Sequence, residues 1–576
     1  MATGQKLDGY KLPTKPERNA GKLAQGFITP RQDKVPQVHS VPPKRVLPIV
    51  FIPGIMGSNL RLTEDRQAEL GKKNNIAWRP DNLFETVRMA DDSAAERQMR
   101  FDPSRTEVDT YDPASNVTGN ADETSNMRNK SVIFPAQYGG SWRRMDAPLL
   151  QSDRAGTENA KTRDQKARER GWGEVFFGSY QAILSECEVR LNGAFSERFK
   201  DPYLMSAIVN VSPSKWEAHP AHSLEKIDEA SLRAAVKGCW FPVHAMGYNW
   251  LRGNKESGIF IAKRILGLIK SYQEKGYQCE KVILLTHSMG GLVARAVIHP
   301  EMGKIHDHVL GVIHGVMPAM GAGTAYKRMR CGFEGNGVAT KILGASGEHV
   351  TPVLGNSQGG LELLPNQAYG NNWLQVVRNG QVIKSYPQNG DPYEEIYKAS
   401  GKWYGLLCKE WINPANLRGR NLGKSYLLLD LAKKFHNQIA ATYHDQSYAH
   451  YGADSNGHAW NKVSWKVEGD ISPDDVDLLR IVGDNGKGVL KLSRMGMQGG
   501  KFEKKDEFKT HLLPAADPGD QTVPMYSADD QLRSGKFKGI FRQTGYEHQA
   551  SYSNEAVIAA TIYCLYKIIS TMKWSR

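Results

Sequence analysis

An α/β fold with a mostly parallel, two-sided central sheet is predicted by three observations in this 576-residue chain. Short apolar runs recur as candidate strands. A segment with helical periodicity stands between two of them. One run breaks off into a tight glycine-rich turn that opens a helix. Strands alternating with helices imply crossover connections, and these place helices on both faces of a parallel sheet.

The first strand-like run is Val46-Leu-Pro-Ile-Val-Phe-Ile52, which leads into Pro53-Gly-Ile-Met-Gly57. A second lies in Cys239-Trp-Phe-Pro-Val-His-Ala-Met246. Ile261, Ile265, Leu268 and Tyr272 then step by four, three and four, the spacing of one helix face. The run Val282-Ile-Leu-Leu285 ends in Thr-His-Ser288-Met-Gly-Gly291 before a helix-like stretch, and His308 to Ile313 reads as a further buried strand. Leu427 to Phe435 reads as a helix, Phe537 to Phe541 as a strand and Asn554 to Thr571 as the closing helix.

The strand–turn–helix around Ser288 fits a nucleophile elbow, in which a sharp turn lifts a serine hydroxyl above the sheet edge. Thr286 stands where the G-x-S-x-G pattern has glycine, which is a mild departure. The elbow makes the fold an α/β-hydrolase interrupted by two large, partly helical insertions. Its core is expected over 46–60, 238–318 and 506–576, with insertions over 61–237 and 319–505, the second a possible lid or cap. Residues 1–45, rich in Lys, Arg and Pro, read as a poorly ordered basic extension.

A serine hydroxyl needs a base within hydrogen-bond reach and a carboxylate to orient that base, and in this fold they follow in the order Ser, Asp, His. Asp520, in Pro518-Gly-Asp-Gln-Thr-Val-Pro524, is the expected acid, with Asp517 as its rival. His548, between the last strand and the last helix, is the expected base, with His511 as the fallback; His287 lies on the wrong side of the turn. The oxyanion would be held by the backbone N–H groups of Met289 and Ile55, with Met56 close behind.

The formal net charge of +14 implies attraction to anionic surfaces, either nucleic acid or lipid phosphate. Basic residues are dispersed rather than banded with aromatics, so nucleic acid is not an expected partner. A basic membrane- or nucleic-acid-binding protein without catalysis remains the distant alternative. Six scattered cysteines form no C-x-x-C pair, which argues against a zinc site or disulfide framework. No cofactor is expected. The cluster Asp474, Asp475 and Asp477 lacks the alternating ligands of a calcium loop and reads as a solvated face. The first residues carry no apolar leader, so export without a cleavable signal is the expectation.

Four segments together resemble lipases related to lecithin:cholesterol acyltransferase: Pro48 to Leu60, Gly247-Tyr-Asn-Trp250, the elbow, and Pro518 to Pro524. More closely, Val243 to Trp250, His314-Gly-Val-Met-Pro-Ala-Met-Gly321 and Tyr326-Lys-Arg-Met-Arg330 resemble the third group of bacterial type VI secretion lipase effectors. The resemblance covers most of the chain from about residue 46. It implies a phospholipase toxin made in a bacterial cytoplasm, carried by a VgrG-type secretion spike with an adaptor chaperone, and injected into a neighbour's periplasm. A cognate immunity protein would protect the producer. The family's nucleophile, acid and base fall on Ser288, Asp520 and His548. The nearest alternatives are a lipid acyltransferase and a general carboxylesterase using the same three residues.

Overall fold

The structure, a computed structural model, describes residues 43–112, 160–193, 200–498 and 501–575, together with three short strands nearer the N-terminus. Six parallel strands form the central sheet: β1 (Ile49–Ile52), β2 (Val243–Ala245), β3 (Val282–His287), β4 (Val309–Gly315), β5 (Ser447–Gly452) and β6 (Phe537–Gln543). Their spatial order is β2-β1-β3-β4-β5-β6. Ile283 stands opposite Ile49, and His287 opposite Gly315.

The period of two along these strands explains why the runs are apolar throughout. Val50, Ile52, Val282, Leu284 and Val312 pack into one buried cluster. Ile49, Phe51, Ile283, Leu285 and Ile313 pack into another on the opposite face. Each face carries helices. Asn254–Glu274 and Gly290–Ile298 bring Ile261, Ile265, Leu292 and Val293 to the first cluster. Phe177–Asn192 and Glu555–Ile569 bring Ile183, Leu184, Val557 and Ile562 to the second. Fully burying one such aliphatic side chain contributes roughly 1.5–3 kcal/mol. The closing helix is capped by Asn554, whose side chain accepts from the N–H groups of Ala556 and Val557.

Several boundaries differ from the expectation. β5 lies inside the stretch expected to be a second insertion, so the core strand at 447–452 divides that insertion in two. Ser447-Tyr-Ala-His-Tyr-Gly452 has no apolar run to announce it, yet all six residues are buried because the strand is flanked by β4 and β6. The insertion, expected to be partly helical, also carries a sheet. Gln381–Tyr386, Leu374–Arg378, Val463–Val467, Lys501–Leu512, Val489–Gln498 and Leu479–Asp484 form, in that order, a second six-stranded sheet. Lys501–Leu512 thus belongs to that sheet, not to a core resuming at 506. In the first insertion, Phe177–Asn192 covers the central sheet and is part of the core.

The expected N-terminal extension contains Thr14–Pro16, Lys22–Gly26 and Gln37–Val41, which pair as an antiparallel sheet. Its other residues before 43 lie outside the described residues, as do 113–159 of the first insertion.

Candidate active site

The elbow forms because β3 runs out at His287 and the helix starts at Gly290, with only Ser288 and Met289 between them. Ser288 takes a left-handed backbone, φ 53°, which for a non-glycine residue costs on the order of 1–2 kcal/mol. Its N–H donates to the Gly315 carbonyl at 2.8 Å, holding the turn against β4. A Cβ on Gly290 would lie 2.4 Å from the Ile52 carbonyl oxygen and 2.5 Å from that of Pro53, so only glycine lets the helix approach β1 this closely. Thr286 is accommodated where the pattern has glycine: its hydroxyl donates to the Ile313 carbonyl at 3.3 Å.

The structure brings Ser288, Asp520 and His548 together. His548 Nε2 lies 2.9 Å from Ser288 Oγ, and His548 Nδ1 lies 2.8 Å from Asp520 Oδ2. The other carboxylate oxygen, Oδ1, accepts from the N–H groups of Val523 at 2.7 Å and Thr522 at 3.1 Å. A carboxylate only accepts, so Nδ1 carries the ring proton and Nε2 presents its lone pair to the serine hydroxyl. Asp520 is fully buried, and its own carbonyl accepts the His548 N–H at 3.0 Å. Acid and base loops are thereby locked to each other by backbone as well as side chain.

The rivals are elsewhere. Asp517 accepts the Lys462 N–H with its carboxylate, and His511 sits on the second sheet with Nδ1 3.8 Å from Glu468. The acids at 475 and 477 are engaged by Arg494 and Ser472 and by Tyr386 and Tyr404 respectively. Among the described residues no group of three His, Cys, Asp or Glu converges on a possible metal position.

His287 does not act on the serine, but it supports the site in a way the sequence did not reveal. Its Nε2 lies 3.0 Å from the His548 carbonyl, which can only accept, so Nε2 carries the proton and Nδ1 accepts from Tyr180 Oη at 3.1 Å. Burial, with the neighbouring His548 second, pushes the His287 ring down to about 3, so it stays neutral. Tyr180 in turn receives the Gly54 N–H at 3.5 Å and touches the loop after β1. Tyr180 lies in a stretch read as insertion, where nothing marked it.

Ser288 and His548 open onto a cavity of about 450 Å³. Ile55 and Met56, from the loop after β1, line it beside them, with Trp78, Phe176, Met329 and Phe333. A hydroxyl with a base at the head of an apolar cleft suits attack on an ester whose acyl chain occupies the cleft.

The parallel sheet, the elbow and the cleft define an α/β-hydrolase of the esterase and lipase class. A family model described as a PGAP1-like alpha/beta domain matches residues 256–327, the span that carries the elbow. No curated protein matches the chain. Among solved structures, the crystal structure of the Tle4-Tli4 complex contains a chain 29% identical, with a TM-score of 0.71; the alignment covers 92% of this chain and 99% of that one. The resemblance to type VI lipase effectors read from the motifs therefore holds at the level of the class. The matched structure is designated Tle4, so placement in the third group does not follow from it.

Proposed function

We propose that the chain is a serine-dependent phospholipase that hydrolyses acyl esters of membrane glycerophospholipids, with Ser288 as nucleophile, His548 as base and Asp520 as the carboxylate that orients it. The observation that carries this reading is the Ser288–His548–Asp520 hydrogen-bonded line at the head of the apolar cavity. Ser288 Oγ bonds to the acyl carbon as its proton passes to His548 Nε2. The Met289 and Ile55 N–H groups hold the oxyanion. Collapse breaks the ester bond, and His548 returns the proton to the leaving lysophospholipid oxygen. Water then attacks the acyl-serine, giving its proton to the same nitrogen; the fatty acid leaves and Ser288 recovers its proton. The chain itself supplies nucleophile, base and oxyanion donors, so no cofactor enters a step.

The biological setting belongs to the same proposal. The enzyme acts as an antibacterial effector delivered by the type VI route, through a spike and adaptor, onto phospholipids facing a target cell's periplasm. A cognate immunity protein binds it in the producer, as the paired name of the matched complex supports. Among the described residues no helix is long and apolar enough to cross a membrane.

The test is Ser288→Ala assayed on phosphatidylethanolamine–phosphatidylglycerol vesicles. Fatty-acid release is expected to fall by about a thousandfold or more, because the variant loses the nucleophile and keeps only binding and oxyanion stabilisation. The melting temperature should stay close to that of the parent. Release within a few-fold of the parent rules the assignment out.

A further inference from the structure

Most of the cavity wall beside Ser288 is apolar, including Met329, Ile342, Leu343 and Leu354, yet Arg328 and two carboxylates, Glu334 and Glu547, also line it. Arg328 lies on the helix Gly323–Cys331, and its guanidinium donates to Glu334 from Nε to Oε2 at 3.0 Å and Oε1 at 3.4 Å, and from Nη2 to Oε2 at 2.9 Å. Nη2 also donates to Thr522 Oγ1 at 3.2 Å. Thr522 is one of the two residues whose N–H groups hold the Asp520 carboxylate, so the cation is tied directly to the loop that carries the acid. Resting on the lipase reading above, we propose that Arg328 is a specificity residue that takes the phosphate of a glycerophospholipid while its acyl ester lies at Ser288, and that Glu334 occupies the guanidinium until the lipid arrives.

Three features support this assignment. A planar guanidinium presents paired donors that match phosphate oxygens. Glu334 has a second cation: Lys327 Nζ lies 3.0 Å from its Oε1. Arg328 can therefore turn to a phosphate while Glu334 keeps a cationic partner. Burial alone would raise the Glu334 carboxyl, but Arg328 and Lys327 together hold it below the ordinary value, so it stays ionised and pairs with the guanidinium until a phosphate competes for it. An uncharged lipid of the same chain length would find no use for the pair.

The experiment compares phosphatidylethanolamine with diacylglycerol carrying the same two acyl chains, each in neutral-detergent micelles. Phosphatidylethanolamine has a phosphate but no net charge, so general attraction to the basic protein is removed. The quantity read is the ratio of kcat/KM for the phospholipid to kcat/KM for diacylglycerol. Arg328→Gln is expected to lower that ratio by about tenfold or more, as loss of a charged partner to a bound group does. A ratio equal to the parent's overturns the proposal, whether both activities fall together or neither falls. Glu334→Gln, which removes the carboxylate that holds Arg328, is expected to raise the ratio by about threefold. If Arg328→Gln does not fold by thermal melting, this second variant decides, and an unchanged or lowered ratio overturns the proposal. A parent protein that hydrolyses neither ester contradicts the lipase reading itself and is seen before any variant is compared.

Discussion

His450, on β5, is buried against Tyr552, their ring centroids 5.1 Å apart, and neither ring nitrogen has a hydrogen-bond partner among the described residues. Burial pushes its pKa down to about 3. In the unfolded chain the ring returns to about 6.5. Between those two values the unfolded chain binds a proton that the folded one refuses, so stability rises with pH across the window. The contribution is present in full above about pH 6.5 and is lost as pH falls toward the folded value. His450→Leu should therefore flatten the dependence of unfolding free energy on pH between about 4 and 6, by up to ~1.4 kcal/mol per pH unit. Denaturant melts of both proteins across that range check it, and an undiminished slope would contradict the assignment. Ser288, Asp520 and His548 were legible at this scale because each stands at a junction whose chain order the fold dictates. Tyr180, Thr522 and Arg328 were not legible, since their roles come from tertiary contacts between segments far apart in sequence.

Elements became legible in proportion to how uniformly apolar they are. β1, β3 and β4 are buried on both faces and read as runs dominated by Val, Ile, Leu and Phe, so sequence marked all three to within a few residues. β5 is equally buried but built from Ser, Tyr, His and Gly, residue types shared by loops, and it was absorbed into the insertion around it. The second sheet escaped for a related reason: its strand Leu479–Asp484 exposes Ile481 and Val482, so no strict alternation of inward apolar and outward polar residues is left to read. Glycines carry element-level information that the strands do not. Gly290→Ala would force a methyl against the carbonyls of Ile52 and Pro53 and push the elbow helix off β1. It is expected to lower the melting temperature and ester hydrolysis together, because the same displacement moves Ser288. Gly267 is the control: it is an exposed position inside the helix Asn254–Glu274, and an added Cβ there meets nothing within 4 Å. Gly267→Ala should leave hydrolysis unchanged and raise stability by about 0.5–1 kcal/mol, the helix propensity difference between the two residues. Activity intact in Gly290→Ala, or lost in Gly267→Ala, would contradict this packing account.

The whole molecule carries 75 Lys and Arg against 61 Asp and Glu, a surplus that neither the buried site nor the apolar cavity explains. Such a surplus acts at long range, since the anionic surface of a bilayer attracts cations by about 1 kcal/mol for each one brought near it. On the proposed function it belongs to the approach to lipid, whereas the Ser288 line belongs to the chemistry that follows. Salt separates the two. At about 0.1 M the screening length is about 10 Å, and at 1 M it is about 3 Å, too short for dispersed surface charges to sense a membrane together. On vesicles containing phosphatidylglycerol, raising salt from about 0.1 M to 1 M should increase the apparent KM several-fold and leave kcat nearly constant, because the acyl ester is attacked in a cleft that bulk ions do not screen. On vesicles of phosphatidylethanolamine alone the same change should do little. Ser288→Ala should bind both kinds of vesicle as the parent does, with the same salt dependence in a sedimentation assay. An apparent KM on anionic vesicles that ignores salt would remove the positive surface from the account of membrane approach and leave the cavity alone to select the lipid.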